Sequence, residues 1–151
     1  MKLKSICLMA FVATTAALAQ DEAQRAKLAG SWQAADQSAV WTFEDLRYSM
    51  HVTNLQGDRK IAEYTCDLGQ ECEVKDAGKK VKVTLYFNGP NLVVMETRGG
   101  TTFKRRFGVE EKSDVLEMEN IPIQPTGKTE TVRFTRLQSA VGAAKAAVPK
   151  P

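Results

Sequence analysis

The chain has 151 residues, of which 43% are hydrophobic and 26% charged. That is material for one packed domain, not two. Its 21 Lys and Arg stand against 18 Asp and Glu, a balance too even to point to nucleic acid or an anionic membrane as a charge-driven partner.

The first segment, MKLKSICLMAFVATTAALAQ, has the order of an export signal. Lys2 and Lys4 make a basic start, Ile6 to Ala13 is apolar, and Ala17-Leu18-Ala19 is an A-x-A cleavage site. The apolar run is too short to span a membrane. The expected organisation is a signal peptide over 1–19, a folded domain over 20–138 and an Ala-, Lys- and Pro-rich tail over 139–151. The working protein is expected outside the cytoplasm, periplasmic or secreted. Losing Lys2 and Lys4 leaves it 19 basic against 18 acidic residues.

Asp21 to Ala29 reads as a short helix: Asp21 can cap it, Ala23, Ala26 and Leu28 fall at helical spacing, and Gly30 stops it. From there the period changes to two. Val40 to Phe43, Arg47 to Asn54, Lys60 to Cys66, Lys80 to Phe87, Leu92 to Arg98, Thr101 to Val109, Asp114 to Glu119 and Glu130 to Leu137 read as strands. Lys80 to Phe87 is the clearest, with Val81, Val83, Leu85 and Phe87 on one face and Lys80, Lys82, Thr84 and Tyr86 on the other. Gly99-Gly100 between two such runs is a hairpin signal, since both central positions tolerate positive φ. Pro122 and Pro125 predict a longer irregular connection before the last strand. About eight short strands joined by tight turns predict an all-β antiparallel up-and-down barrel with a short N-terminal helix.

Cys7 leaves with the signal. Cys66 and Cys72 remain, and an even pair in an exported chain predicts a disulfide. A metal pair or a redox pair are the alternatives. The single histidine, His51, and a spacing unlike the two-residue gap of thiol oxidoreductases weigh against both. The enclosed loop, Asp67 to Glu71, is short, so the bond is expected to contribute roughly 2–3 kcal/mol at most.

No catalytic set is expected. A serine nucleophile needs a base, and His51 lies between Met50 and Val52, facing away from the interior. The carboxylate pairs Glu110-Glu111 and Glu117/Glu119 read as solvated surface. There is no Gly-rich phosphate loop and no zinc spacing, so neither a metal nor a cofactor is expected. The inward aromatic positions are Trp41, Phe43, Tyr48, Phe87, Phe103, Phe107 and Phe134. A barrel of this size can be filled by such side chains or hold one small ligand, and the sequence leaves both open. Alternation puts Arg105 on the face of Phe103 and Phe107. An inward Arg needs a partner: a ligand carboxylate, an internal ion pair with Glu63 or Glu96, or water at the rim.

Leu28-Ala29-Gly30-Ser31-Trp32 resembles the opening of a lipocalin or, more broadly, a calycin. That superfamily starts with a short helix and a Gly-x-Trp motif entering the first strand, and ends with an Arg that packs across the Trp ring at the closed end. Gly30, Trp32 and Arg136 match this signature. The resemblance, nearest to the small calycin-like domains that bacteria export, implies a monomeric binding protein for a small apolar or amphipathic ligand lined by Arg105 and the aromatics above. The alternative it implies is a periplasmic protease inhibitor or other protein-interaction module: one bacterial group of metalloprotease inhibitors is a small disulfide-bonded calycin barrel with a similar Leu-x-Gly-x-Trp. That group inserts a free N-terminus into its target. The acidic Gln20-Asp21-Glu22 here runs into a helix, unlike an extended plug.

Overall fold

The computed structural model describes residues 22–76 and 78–138. The expected signal, the capping Asp21 and the tail lie outside the described residues. A helix, α1, covers 22–28. Ten strands follow: β1 Gly30–Ala34, β2 Ala39–Asp45, β3 Ser49–Gln56, β4 Arg59–Asp67, β5 Glu71–Asp76, β6 Lys79–Asn88, β7 Asn91–Arg98, β8 Thr101–Val109, β9 Val115–Gln124 and β10 Glu130–Arg136. All pair antiparallel in one sheet of order β4-β3-β2-β1-β10-β9-β8-β7-β6-β5. The sheet curls into a nearly closed barrel. Its two ends, β4 and β5, meet at a seam without a strand ladder between them.

The strand count is ten rather than about eight because β1 and β5 are short. β5 carries only Cys72 and Val74 as half-buried apolar positions between charged ones, too little alternation to stand out from its flanking turns. Pro122 does not break β9. It sits opposite Phe103, next to a register shift at Thr102/Phe103, and an irregularity of that kind is where a strand accepts a residue without an N–H.

The chain packs the two ends of the barrel differently. At one end, α1 lays Leu28 into the core, and the indole Nε1 of Trp32 donates to the Leu28 carbonyl at 2.8 Å. Arg136, on the last strand and in register with Trp32, stands 4.0 Å over the Trp32 ring. It donates to the carbonyls of Ala29 at 2.7 Å and Lys27 at 2.6 Å. Gly30 makes room for it: a Cβ there would lie 2.8 Å from Arg136 Nη1, and its φ of +121° suits glycine alone. Phe43, Met50, Leu85, Leu92, Phe107, Leu116 and Phe134 fill the barrel beside this cap and are essentially inaccessible. At the same end Cys66 and Cys72 form a disulfide with a Cα–Cα distance of 5.8 Å. It ties β4 to β5, so the seam is stapled at its closed end. Leu68 adds a single bridge to Leu85 there.

Among the described residues, the opposite end carries only tight turns and the 125–129 connection. The β1–β2 link, residues 35–38, is four residues long, so among the described residues no helix lies over the mouth on that side. No helix among the described residues is long and apolar enough to cross a membrane.

Candidate functional site: the open half of the barrel

Five strands in the open half place polar side chains at inward positions that period-two alternation would otherwise give to apolar ones. On β3, Met50 and Val52 are followed on the same face by Asn54, 8% exposed. On β4, Tyr64 follows Ala62 and is 6% exposed. On β7, Leu92 and Val94 are followed by Glu96 and then Arg98 at the rim. On β8, Arg105 lies between Phe103 and Phe107. On β9, Asn120 stands in register with Arg105.

The charged members form one connected chain. Arg105 Nη1 donates to Glu96 Oε2 at 2.6 Å, with the two side chains 21% and 12% exposed. Glu96 sits opposite Phe103 rather than Arg105, so this is a diagonal cross-strand contact of the kind long side chains make. The other Glu96 oxygen accepts from Arg98 Nη2 at 3.1 Å, and Arg98 also pairs with Asp76 across from β5. Burial works against the Arg98 charge. Its hydrogen bonds to Asp76 and Glu96 outweigh that and hold its pKa above the ordinary value. Arg105 therefore has an internal partner, Glu96. Glu63 is on the outside, bound to Lys60 at 2.6 Å.

Each uncharged member carries an unpaired buried oxygen. Asn54 Oδ1, Tyr64 Oη and Asn120 Oδ1 are buried with no hydrogen-bond partner. Burial, and then the neighbouring Glu96 charge, push the Tyr64 pKa well up, partly offset by Arg105. The phenol is held as a neutral O–H donor.

Asn54 and Tyr64 face two adjoining hollows. One, of about 240 Å³, lies under the mouth against Trp41, Asn54, Phe103 and Arg105. The other, of about 190 Å³, opens sideways through the seam between Lys60–Tyr64 of β4 and Val74–Asp76 of β5. They share Ile61, Ala62, Asp76, Glu96 and Arg98. The Arg105 guanidinium lies 5.8 Å from the Trp41 ring and 5.9 Å from the Phe103 ring, within cation–π range.

The aromatic positions divide into three groups. Trp41 and Phe103 line the hollow. Phe43 and Phe107 back the Trp41 wall: Trp41 stacks on Phe43 at 6.1 Å, and Phe107 meets both edge-on at 5.1 and 5.0 Å. Phe134 is buried core and Phe87 a half-buried residue packed against it. Tyr48 corrects the expectation: it is 73% exposed, on the turn before β3. Arg47 takes a φ of 76°, which ends the alternation that would have carried Tyr48 inward with Met50. Asn54, Tyr64, Arg98, Asp76 and Asn120 join the site without having been expected there. The signal for three of them is a polar residue continuing an apolar period-two face: Met50-Val52-Asn54, Ala62-Tyr64-Cys66 and Leu116-Met118-Asn120. His51 lies on the outer face, against the hydroxyl of Thr65 at 2.8 Å. Among the described residues, no group of three or more His, Cys, Asp or Glu could hold a metal ion.

No family model matches this chain, and no curated protein matches it in sequence. Solved structures do. A secretory abundant heat soluble protein from Ramazzottius varieornatus superposes with a TM-score of 0.64 at 12% identity, over 74% of this chain and 96% of that one. The Schistosoma mansoni fatty acid binding protein in complex with arachidonic acid gives 0.62 at 15%, over 76% and 99%. Fatty-acid-binding protein 1 of Echinococcus granulosus gives 0.61 at 8%, over 75% and 99%. At these identities what is shared is the architecture, a calycin-type barrel.

Proposed function

We propose that the chain is an exported binding protein that holds a small amphipathic molecule in the open half of its barrel. The observation that carries this reading is the group of buried, unpartnered polar atoms on Asn54 and Tyr64 beside an aromatic wall and a hollow open at the mouth and the seam. Native interiors satisfy nearly all such atoms, and each one left unpaired costs roughly 1–3 kcal/mol. A barrel selected for stability alone would carry apolar side chains there, as its closed half does. Arg105, Trp41 and Phe103 would line the site, with Phe43 and Phe107 packed behind Trp41. Each hollow is smaller than the ~300–1,000 Å³ of ordinary ligand clefts, which suits a small ligand or one that protrudes from the mouth. That two structurally similar proteins bind fatty acids supports carriage as the use of this architecture. Fold alone does not fix a ligand.

Export is supported by the basic–apolar–A-x-A order of residues 1–19 and by the disulfide. One experiment addresses both parts. Native mass spectrometry of the protein from the exported fraction of its own host should give a chain starting at Gln20 with a retained small molecule. A chain that keeps Met1 refutes export. A ligand-free mass under conditions that preserve known carrier complexes refutes the binding role.

A further inference from the structure

We infer that the open half selects a ligand whose polar end is neutral, an amide, a hydroxyl or a comparable uncharged donor–acceptor group, in preference to a carboxylate. The inference rests on the binding role proposed above. It follows from which polar groups are paired and which are not. Every charge lining the hollow under the mouth has an opposite within the protein: Arg105 with Glu96, Arg98 with Glu96 and Asp76. Two arginines against two carboxylates leave the chain of charges neutral. The buried atoms without partners that face the hollows are uncharged, Asn54 Oδ1 and the hydroxyl of Tyr64.

A ligand carboxylate would have to share Arg105 with Glu96, whose side chain is only 12% exposed, or displace it. Either arrangement puts two like charges together in a part-buried site or leaves Glu96 with Arg98 as its one partner, and both are costly. A neutral amide or alcohol meets no such opposition. A carboxamide such as Asn54 offers a donor and an acceptor whichever way its amide is turned, and Tyr64 stays protonated and offers O–H. Trp41 and Phe103 then flank the apolar part of the ligand.

The test is calorimetric titration of the purified, disulfide-intact protein with octanamide, octan-1-ol and octanoate at neutral pH. Octanamide should bind at least about tenfold more tightly than octanoate, the scale of one buried hydrogen bond gained or lost. Glu96→Gln, which releases Arg105, should raise octanoate affinity and close or reverse that gap. Asn54→Leu should weaken octanamide by about tenfold, again the loss of one buried hydrogen bond, and so narrow its advantage over octanoate. Equal affinities, or a preference for octanoate, would overturn the inference while leaving the binding role intact. If none of the three binds and none displaces an apolar fluorescent probe, both fall together.

Discussion

Replacing Arg136 with Met tests how the barrel is closed. The substitution roughly keeps the side chain's length and removes its charge and its donors. Four contacts go with it. The guanidinium 4.0 Å over Trp32 contributes about 1 kcal/mol as a partly desolvated cation–π contact. The hydrogen bonds to Ala29 at 2.7 Å and Lys27 at 2.6 Å are charge-assisted, and the low end of about 1.5 kcal/mol each applies because the side chain is 28% exposed. Asp114, at 80% exposure, adds little. The expected loss is about 3–4 kcal/mol, which in urea denaturation, with a slope of about 1.5–2 kcal/mol per molar, moves the midpoint down by roughly 2 M. A double-mutant cycle sharpens the test. Gly30→Ala places a Cβ 2.8 Å from Arg136 Nη1, so it should cost less in the Arg136→Met background than in the wild type. A loss below about 1 kcal/mol, or strict additivity of the two changes, would refute the closing role of Arg136.

Replacing Cys66 and Cys72 together with Ala should cost about 2 kcal/mol, the loop-closure value for so short a separation. Hydrogen exchange should then speed up chiefly in β5. Equal loss of protection in every strand would contradict the view that the bond staples only the seam. Tyr64 makes stability fall in alkali. Burial raises its folded pKa, so its contribution is intact below the unfolded value of about 10 and is lost as pH rises beyond it. Tyr64→Phe should flatten that slope between about pH 10 and 12, and an unchanged slope would show that the phenol is not sequestered.

Much of the fold was legible because burial on one face leaves a period-two trace. Val81, Val83 and Leu85 gave β6 directly, and Gly99-Gly100 marked the β7–β8 hairpin, where Gly99 does take a positive φ. Gly30, Trp32 and Arg136 were readable since each has a local reason for its identity. What escaped was set by tertiary context. β5 exists because β6 pairs with it along its whole length, not because of its own pattern. Tyr48 was lost to one left-handed residue, Arg47. The site was half legible. Arg105 stood out as a charge on an aromatic face, and Glu96 was one of two partners considered. The decisive point, that this pair neutralises itself and leaves Asn54 and Tyr64 unpaired, depends on side chains from four strands meeting across the lumen.

The most direct test of a lumenal binding site is residue-resolved NMR during titration with octanamide, or with any molecule found in the native complex. Shifts should concentrate on the Trp41 indole, the Asn54 carboxamide, Glu96, Phe103 and Arg105, with Trp32 and Phe134 in the closed half unmoved. Shifts confined to the outer face, or spread evenly over the barrel, would contradict a site in the open half.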